Sequence, residues 1–393
     1  MRNGNGEEAV RMTAVCLFGL EKLVGEELDD LSWAGVRRTE TIDGRVFFDA
    51  PLSAIPVLNL RLRCAERVLI LLARFHAETF EDLFEGVRQV RWEDWIGRED
   101  RFPVKGHSVK SRLFSIPDCQ KIIKKATADR LSSAYGLKWL PETGVLYQIE
   151  FLLLKDEAFV MLDTTGETLH KRGYRPAASV APLRETLAAA MVRLSRPREG
   201  VLTVDPLCGS GTIVIEAAML AENRAPGLGR TFSSESFPFL PGTLWREARE
   251  KCLAEIRPAG GTLAYGSDLD PKCVELSRAN AARAVVESAV SFSAADVRSF
   301  RSPVEGARGT IVTNPPYGER IGTVREAREL ARAMGEAFRR EIPRWQLYIL
   351  SSDEDYESAF GRRADKVRKL YNGMIPCRLY QFFKNPDSKP GAR

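Results

Sequence analysis

Gly200-Val201-Leu202-Thr203-Val204-Asp205-Pro206-Leu207-Cys208-Gly209-Ser210-Gly211-Thr212 decides the fold of this chain. Its opening residues are apolar or β-branched and read as a buried strand. Two glycines then permit a tight turn and close backbone approach. Ile213-Val214-Ile215-Glu216-Ala217-Ala218-Met219-Leu220 follows as a helix, whose N-terminal N–H groups face the turn. The loop lacks the lysine of a phosphate-binding GxxxxGK[ST] loop, and its glycines do not fit GxGxxG. Nucleoside triphosphates and NAD are therefore disfavoured. Asp205, at the head of the loop, suits a ligand carrying an ammonium group.

Alternation of strand and helix continues from this stretch to the C-terminus. Residues 262–266 read as a strand before Asp268, and residues 271–284 as a helix. Residues 290–292 form a strand before Asp296, and residues 309–313 a strand before Asn314-Pro315-Pro316-Tyr317. A helix over 324–340, a strand over 346–350 and a closing hairpin near 366–370 and 377–383 follow. Strands alternating with helices predict an α/β fold with a parallel, doubly wound sheet. Residues 223–260, rich in Pro, Gly, Ser and Phe around a helix near Trp245, read as an insertion.

In such a sheet the strands end along one carboxyl edge, where ligands bind. Asp268 ends the second strand, the position that holds ribose hydroxyls in doubly wound folds. Asp296 follows the third and suits an adenine amino group. Asn314 follows the fourth, and its amide offers one acceptor and one donor group. Pro315 and Pro316 end that strand in a stiff turn, and Tyr317 supplies a flat face for stacking. Any one of these acids also makes a good solvated strand end or helix cap. Four polar strand ends in succession are harder to explain that way.

The N-terminal part reads as two small α+β units. Residues 13–16, 36–42, 45–48 and 67–72 are strands, with a hairpin at Asp43-Gly44 and helices over 20–31 and 54–62. The second unit places helices over 80–90 and 118–131, the latter capped by Asp118, and strands over 147–154 and 158–163. Lys105, Lys110, Arg112, Lys121, Lys124 and Lys125 gather in this unit, and Lys171 and Arg172 lie in the linker beyond it. Charge in such runs serves either as a solvated face or as phosphate contact with nucleic acid.

Composition bounds the rest. The 393 residues, 44% hydrophobic and 28% charged, suit a globular chain of two or three domains. The net charge of +5, from 58 basic and 53 acidic residues, does not by itself signal nucleic-acid binding. No apolar run reaches membrane-spanning length, and residues 1–12 lack the apolar stretch of a signal peptide. Seven scattered cysteines without a CxxC pair point to the cytoplasm and away from disulfides or zinc. His76, His107 and His170 are not spaced as metal ligands, so no metal is expected.

The four strand ends, with their glycine loop, resemble class I S-adenosylmethionine-dependent methyltransferases, and NPPY is the motif of those that methylate exocyclic amines of bases. HKRGYRPAASVAPLRETLAAA (residues 170–190), DPLCGSGT (205–212) and NPPYGER (314–320) together resemble the bacterial N2-guanine methyltransferases of large-subunit ribosomal RNA. The stretch from Phe75 through SVKSRLFSIPDCQKIIKKA (108–126) resembles the THUMP segment of that family, an RNA-binding module.

The resemblance implies a ferredoxin-like domain over 11–73, a THUMP domain over 74–165, a linker and lead-in helix over 166–195, and a methyltransferase domain over 196–385. It implies that Asp205, Pro206, Cys208, Gly209, Ser210, Gly211, Thr212, Asp268, Asp296 and Asn314 hold S-adenosylmethionine. Asn314, Pro315, Pro316 and Tyr317 would position a guanine of 23S ribosomal RNA. Transfer RNA guanine and DNA adenine remain as alternative substrates, and a non-catalytic RNA-binding assembly protein as an alternative of another class.

Overall fold

A computed structural model describes residues 8–175, 183–316 and 323–384. Tyr317 and the Pro- and Lys-containing tail after Lys384, which the sequence predicts to be disordered, lie outside the described residues. The chain begins with β1 (Ala9–Cys16), α1 (Glu21–Asp29), β2 (Arg37–Ile42), β3 (Arg45–Pro51), α2 (Ile55–Arg61) and β4 (Ala65–His76). Gly44 turns the β2–β3 hairpin at φ +73°, a conformation that favours glycine. The second unit adds α3 (Phe80–Arg88), β5 (Val104–Val109), α4 (Ile116–Tyr135), β6 (Ile149–Leu154) and β7 (Glu157–Asp163).

These units share one seven-stranded sheet, ordered β2-β3-β1-β4-β7-β6-β5. The joint is β4. Its first half pairs with β1 (Ala65 opposite Cys16) and its second half with β7 (His76 opposite Glu157). A strand of 12 residues is long enough to serve two neighbours in staggered register. The start of α4 differs from the sequence expectation. Ser115, not Asp118, precedes the helix; Asp118 lies in its first turn and accepts from Ser115 Oγ at 2.6 Å.

The methyltransferase-like part contains α5 (Glu185–Ser195), β8 (Val201–Asp205), α6 (Thr212–Ala221), α7 (Gly242–Ala254), β9 (Ala264–Asp268), α8 (Pro271–Arg283), β10 (Val290–Ala294), β11 (Arg308–Thr313), α9 (Val324–Glu341), β12 (Gln346–Ser351), α10 (Tyr356–Phe360), β13 (Lys366–Asn372) and β14 (Ile375–Phe382). The sheet order is β10-β9-β8-β11-β12-β14-β13. Every pairing is parallel except those of β14, which the terminal hairpin inserts antiparallel between β12 and β13. From β8 the chain steps outward to β9 and β10, then returns to β11 on the other side of β8. The crevice between β8 and β11 is thus the topological switch point, where open α/β sheets bind ligands.

The stretch read as an insertion has a structural task. Phe237 stacks on Tyr147 with centroids 4.3 Å apart, and Phe239 meets Trp95 edge-on at 5.4 Å. Backbone N–H groups of Gly227, Ser233 and Ser234 donate to the carbonyls of Leu60, Thr165 and Thr164. Helix α7 packs on α2, and Glu255 pairs with Arg61. Residues 223–260 therefore dock the second sheet's domain onto the first. Burying an aromatic ring such as Phe237, which is 1% exposed, contributes about 1.5–3 kcal/mol.

Candidate active site at the carboxyl edge of the second sheet

Register aligns the predicted residues. Asp205 ends β8 opposite Gly266, Asp268 ends β9 opposite Ala294, and Asn314 follows the last residue of β11. Asp205 is buried. Its Oδ1 accepts from Thr313 Oγ1 at 2.6 Å and from the Leu207 N–H at 3.1 Å. Burial pushes the Asp205 carboxyl up to about 7; the two hydrogen bonds oppose that rise and nearby Asp268 adds to it.

The glycine loop is held from both sides. Asp268 Oδ2 accepts from the Gly209 N–H at 2.9 Å, and its Oδ1 from the Asp270 N–H at 3.0 Å. Helix α8 contributes Ser277, whose Oγ donates to Gly209 O at 2.8 Å, and Asn280, whose amide donates to Ser210 O at 2.8 Å. Ser277 and Asn280 were not anticipated from the sequence. Their spacing of three on one helix face was the available signal. Cys208 is buried with its Sγ 3.8 Å from Ser277 Oγ, and burial raises its thiol pKa. Ser210 Oγ and Thr212 Oγ1 lie 3.1 Å apart, and Arg175 donates to Thr212 Oγ1 at 3.0 Å.

The loop glycines differ in surroundings. Gly211, at φ +80°, has no room for a side chain: a Cβ would stand 3.0 Å from Ser277 and 3.1 Å from Phe292. Gly209, at φ +51°, faces open space. A cradle with bare backbone at its lip is what a closely approaching cofactor requires. Pro206 and Pro315 are buried, and Pro316 is half-buried.

Two strand-end groups show opposite states. Asp296 is engaged: its carboxylate accepts from the Arg298 N–H and Nε, each at 2.9 Å, and Arg298 holds its pKa below the ordinary range. An adenine amino group would have to share or displace that guanidinium. Asn314 is unengaged. Its Oδ1 is buried and accepts no hydrogen bond among the described residues. A buried acceptor left unpaired costs about 1–3 kcal/mol, so it marks a place where a donor belongs.

The basic residues divide. Arg172 is a correction: it is 3% exposed, and its guanidinium is spent on the carbonyls of Arg63 and Leu169 and on Glu216. It is a buried strap beneath the linker and offers nothing to a phosphate. His170 is likewise tied to Glu66 at 2.8 Å, and Tyr174 to Glu216 at 3.1 Å. Lys105, Arg112, Lys121, Lys124 and Lys171 are paired with Glu150, Glu78, Asp118, Glu142 and Glu167. Lys124 also lies 3.6 Å from the centre of the Phe102 ring. Lys110 and Lys125 are exposed without an ion pair among the described residues. The sequence reading passed over Phe114 and Trp139, which are 81% and 73% exposed in the same unit. Exposed rings of this kind suit base stacking.

Among the described residues no group of His, Cys, Asp and Glu is placed to hold a metal, and no helix is long and apolar enough to cross a membrane. All seven cysteines are free.

The sheet order, the glycine cradle at its switch point and the row of polar strand ends define a class I methyltransferase, a class whose methyl donor is S-adenosylmethionine. The family model described as "UPF0020: RMKL-like, methyltransferase domain" matches residues 172–381, the RlmL ferredoxin-like domain matches 11–69, and the THUMP domain matches 77–163. The chain belongs to this RMKL-like methyltransferase family.

Whole-chain relatives agree with that assignment. The Bacillus subtilis (strain 168) protein named "Putative RNA methyltransferase YpsC" is 40% identical over 374 residues, 95% of each chain. A solved structure from Listeria monocytogenes, described as "a predicted N6-adenine-specific DNA methylase", is 40% identical with a TM-score of 0.88, covering 96% of both chains. SMU.472, described as "a putative methyltransferase complexed with SAH", is 38% identical with a TM-score of 0.88, covering 97% of this chain and all of its own.

Proposed function

We propose that this chain methylates the exocyclic N2 of a guanine in RNA, with 23S ribosomal RNA as the target. The observation that carries the reading of exocyclic-amine methylation is the buried Oδ1 of Asn314 beside the glycine cradle, unpaired among the described residues. S-adenosylmethionine, when bound, supplies a methyl group on a sulfonium that is already a good leaving group. The protein's task is then positioning. An aromatic amine has its lone pair delocalised into the base. Asn314 Oδ1 and the Pro315 carbonyl accept its two hydrogens and turn the nitrogen lone pair toward the donor. Tyr317 stacks on the base. Positioning of this kind is worth on the order of 10²-fold or more in rate. A paired guanine must leave its stack to reach the pocket.

Cofactor contacts are assigned to the cradle from Asp205 to Thr212, with Asp268 at the ribose and Asp296 at the adenine. Asp268 also tethers Gly209, so it would order the loop as well as bind. The RNA reading is supported by the THUMP match, by the name of the Bacillus relative and by Lys110, Lys125 and the exposed rings of Phe114 and Trp139. The amide acceptor suits an adenine amine equally well, and the identity of the methylated nucleoside separates the two. Nucleoside mass spectrometry of ribosomal RNA, transfer RNA and DNA from cells with and without the protein tests this. Loss of N2-methylguanosine from large-subunit RNA is expected. Loss of N6-methyladenine from DNA, with RNA unchanged, would overturn the reading.

A further inference from the structure

We propose a second RNA contact, resting on the reading of RNA as the substrate: an RNA strand lies across the amino edge of the methyltransferase sheet, opposite Asn314. Two adjoining hollows, of about 480 and 500 Å³, sit there and share Arg196, Arg198 and Gln346. The first is walled by α1, the end of α5 and the face of β12, β14 and β13; the second runs on past the starts of β8 and β11. Eight basic side chains line the pair against the acids Glu26 and Glu341. In a chain with nearly balanced charge, that ratio is a local concentration of positive potential.

The charges are also available. Arg196, Arg198, Lys366, Arg308 and Arg344 make no ion pair among the described residues. This contrasts with the six basic residues singled out in the THUMP unit, four of which are paired. A second observation points into the cleft. Gln381, 6% exposed, lies between Tyr348 and Lys366 in the sheet register, and its Nε2 is buried without an acceptor among the described residues. The Nε of Arg368, whose Nη1 donates to Gly19 O, is likewise buried without an acceptor among the described residues. Unpaired buried donors beside unpaired cations call for an anion bearing several acceptor oxygens.

The shape selects an extended polyanion. The track crosses from the N-terminal domain at Lys22 to Arg344, just before β12 in the middle of the second sheet. Along β11, five residue steps separate Arg308 from Thr313, roughly 16 Å. A flanking RNA segment bound here would be held by phosphates while the target base is presented at the other edge. Such contacts position without reading sequence.

The test uses the full chain and a labelled RNA hairpin with a single-stranded flank, because phosphate contacts do not depend on sequence. The variant Arg198→Ala/Lys366→Ala is compared with the parent by fluorescence anisotropy from 0.05 to 0.3 M salt. Affinity is expected to fall on the order of tenfold near 0.1 M, and the log–log salt slope to flatten by about 1.4–1.8. Calorimetry with S-adenosylmethionine should give the parent's affinity, which reports an intact fold and methyl-donor site. Unchanged RNA affinity and slope would overturn the proposal. So would binding of inorganic triphosphate that the variant loses while its RNA affinity stays the same. A parent protein that binds no RNA at all overturns both this inference and the substrate reading.

Discussion

The Thr313 hydroxyl donates to Asp205 Oδ1 across 2.6 Å, joining the last residues of two adjacent parallel strands. Both residues are buried, and the bond closes the floor of the switch-point crevice. It also fixes the spacing between the glycine loop, which begins at Asp205, and the Asn314-Pro315-Pro316 turn. Replacing Thr313 by Val keeps the volume and β-branching but removes the donor. A loss of about 1–3 kcal/mol in urea unfolding is expected. The same change raises the Asp205 pKa further, because the hydrogen bond opposes the effect of burial.

The raised carboxyl of Asp205 makes methyl-donor binding depend on pH. A cationic ligand favours the ionised form, so affinity should improve as pH rises from 5.5 toward 7.5. Well below the pKa of about 7 the change approaches tenfold per pH unit. Folding shows the opposite sign. The folded-state pKa lies above the ordinary value of 3.8, so this group's contribution to stability is full below that value and is lost as pH rises through about 7. Calorimetry of the parent and of Asp205→Asn at several pH values checks this; the variant should give a flat profile.

Asn314→Ala removes the unpaired acceptor and leaves the cradle untouched. Methyl transfer to RNA should fall by about 10²-fold or more, with S-adenosylmethionine affinity within a few-fold of the parent. Single-turnover transfer from labelled donor measures the first and calorimetry the second. Full activity in this variant would remove Asn314 from the mechanism.

Gly211→Ala places a Cβ 3.0 Å from Ser277 at a backbone conformation that L residues rarely adopt. Strain of about 1–3 kcal/mol is expected. Part of it should appear as weaker donor binding, because Ser277 also holds Gly209. Pairing the change with Ser277→Gly should relieve the clash but not the weaker donor binding, since the hydroxyl that holds Gly209 goes with it.

Phe237→Ala tests the docking role of residues 223–260. The ring is buried against Tyr147, in the other domain, and its loss should cost about 3–5 kcal/mol. In denaturation, an early transition belonging to one domain should separate from the other. Deleting the chain before residue 165 would expose Phe237 and Phe239, which pack on Tyr147 and Trp95, to water.

The sequence by itself determined the alternation of strands and helices, the glycine cradle and the polar strand ends. These depend on short-range causes: apolar periodicity, the backbone freedom of glycine and the missing N–H of proline. Even the hairpin that closes the second sheet is written in its local pattern. Tertiary structure decided which charges are free. Arg172 reads as an exposed linker base, yet its guanidinium is buried against Arg63, 109 residues earlier. The bases of the THUMP unit look like a patch until acids distant in sequence, Glu150, Glu142 and Glu78, come to pair with Lys105, Lys124 and Arg112. Arg198, Arg308 and Lys366 lie far apart in sequence and line one continuous track only because β8, β11 and β13 present the same edge. Burial and ion pairing depend on residues that only folding brings together. Asn314 joins the two levels: its place at a strand end is local, and the unpaired state of its buried oxygen is tertiary.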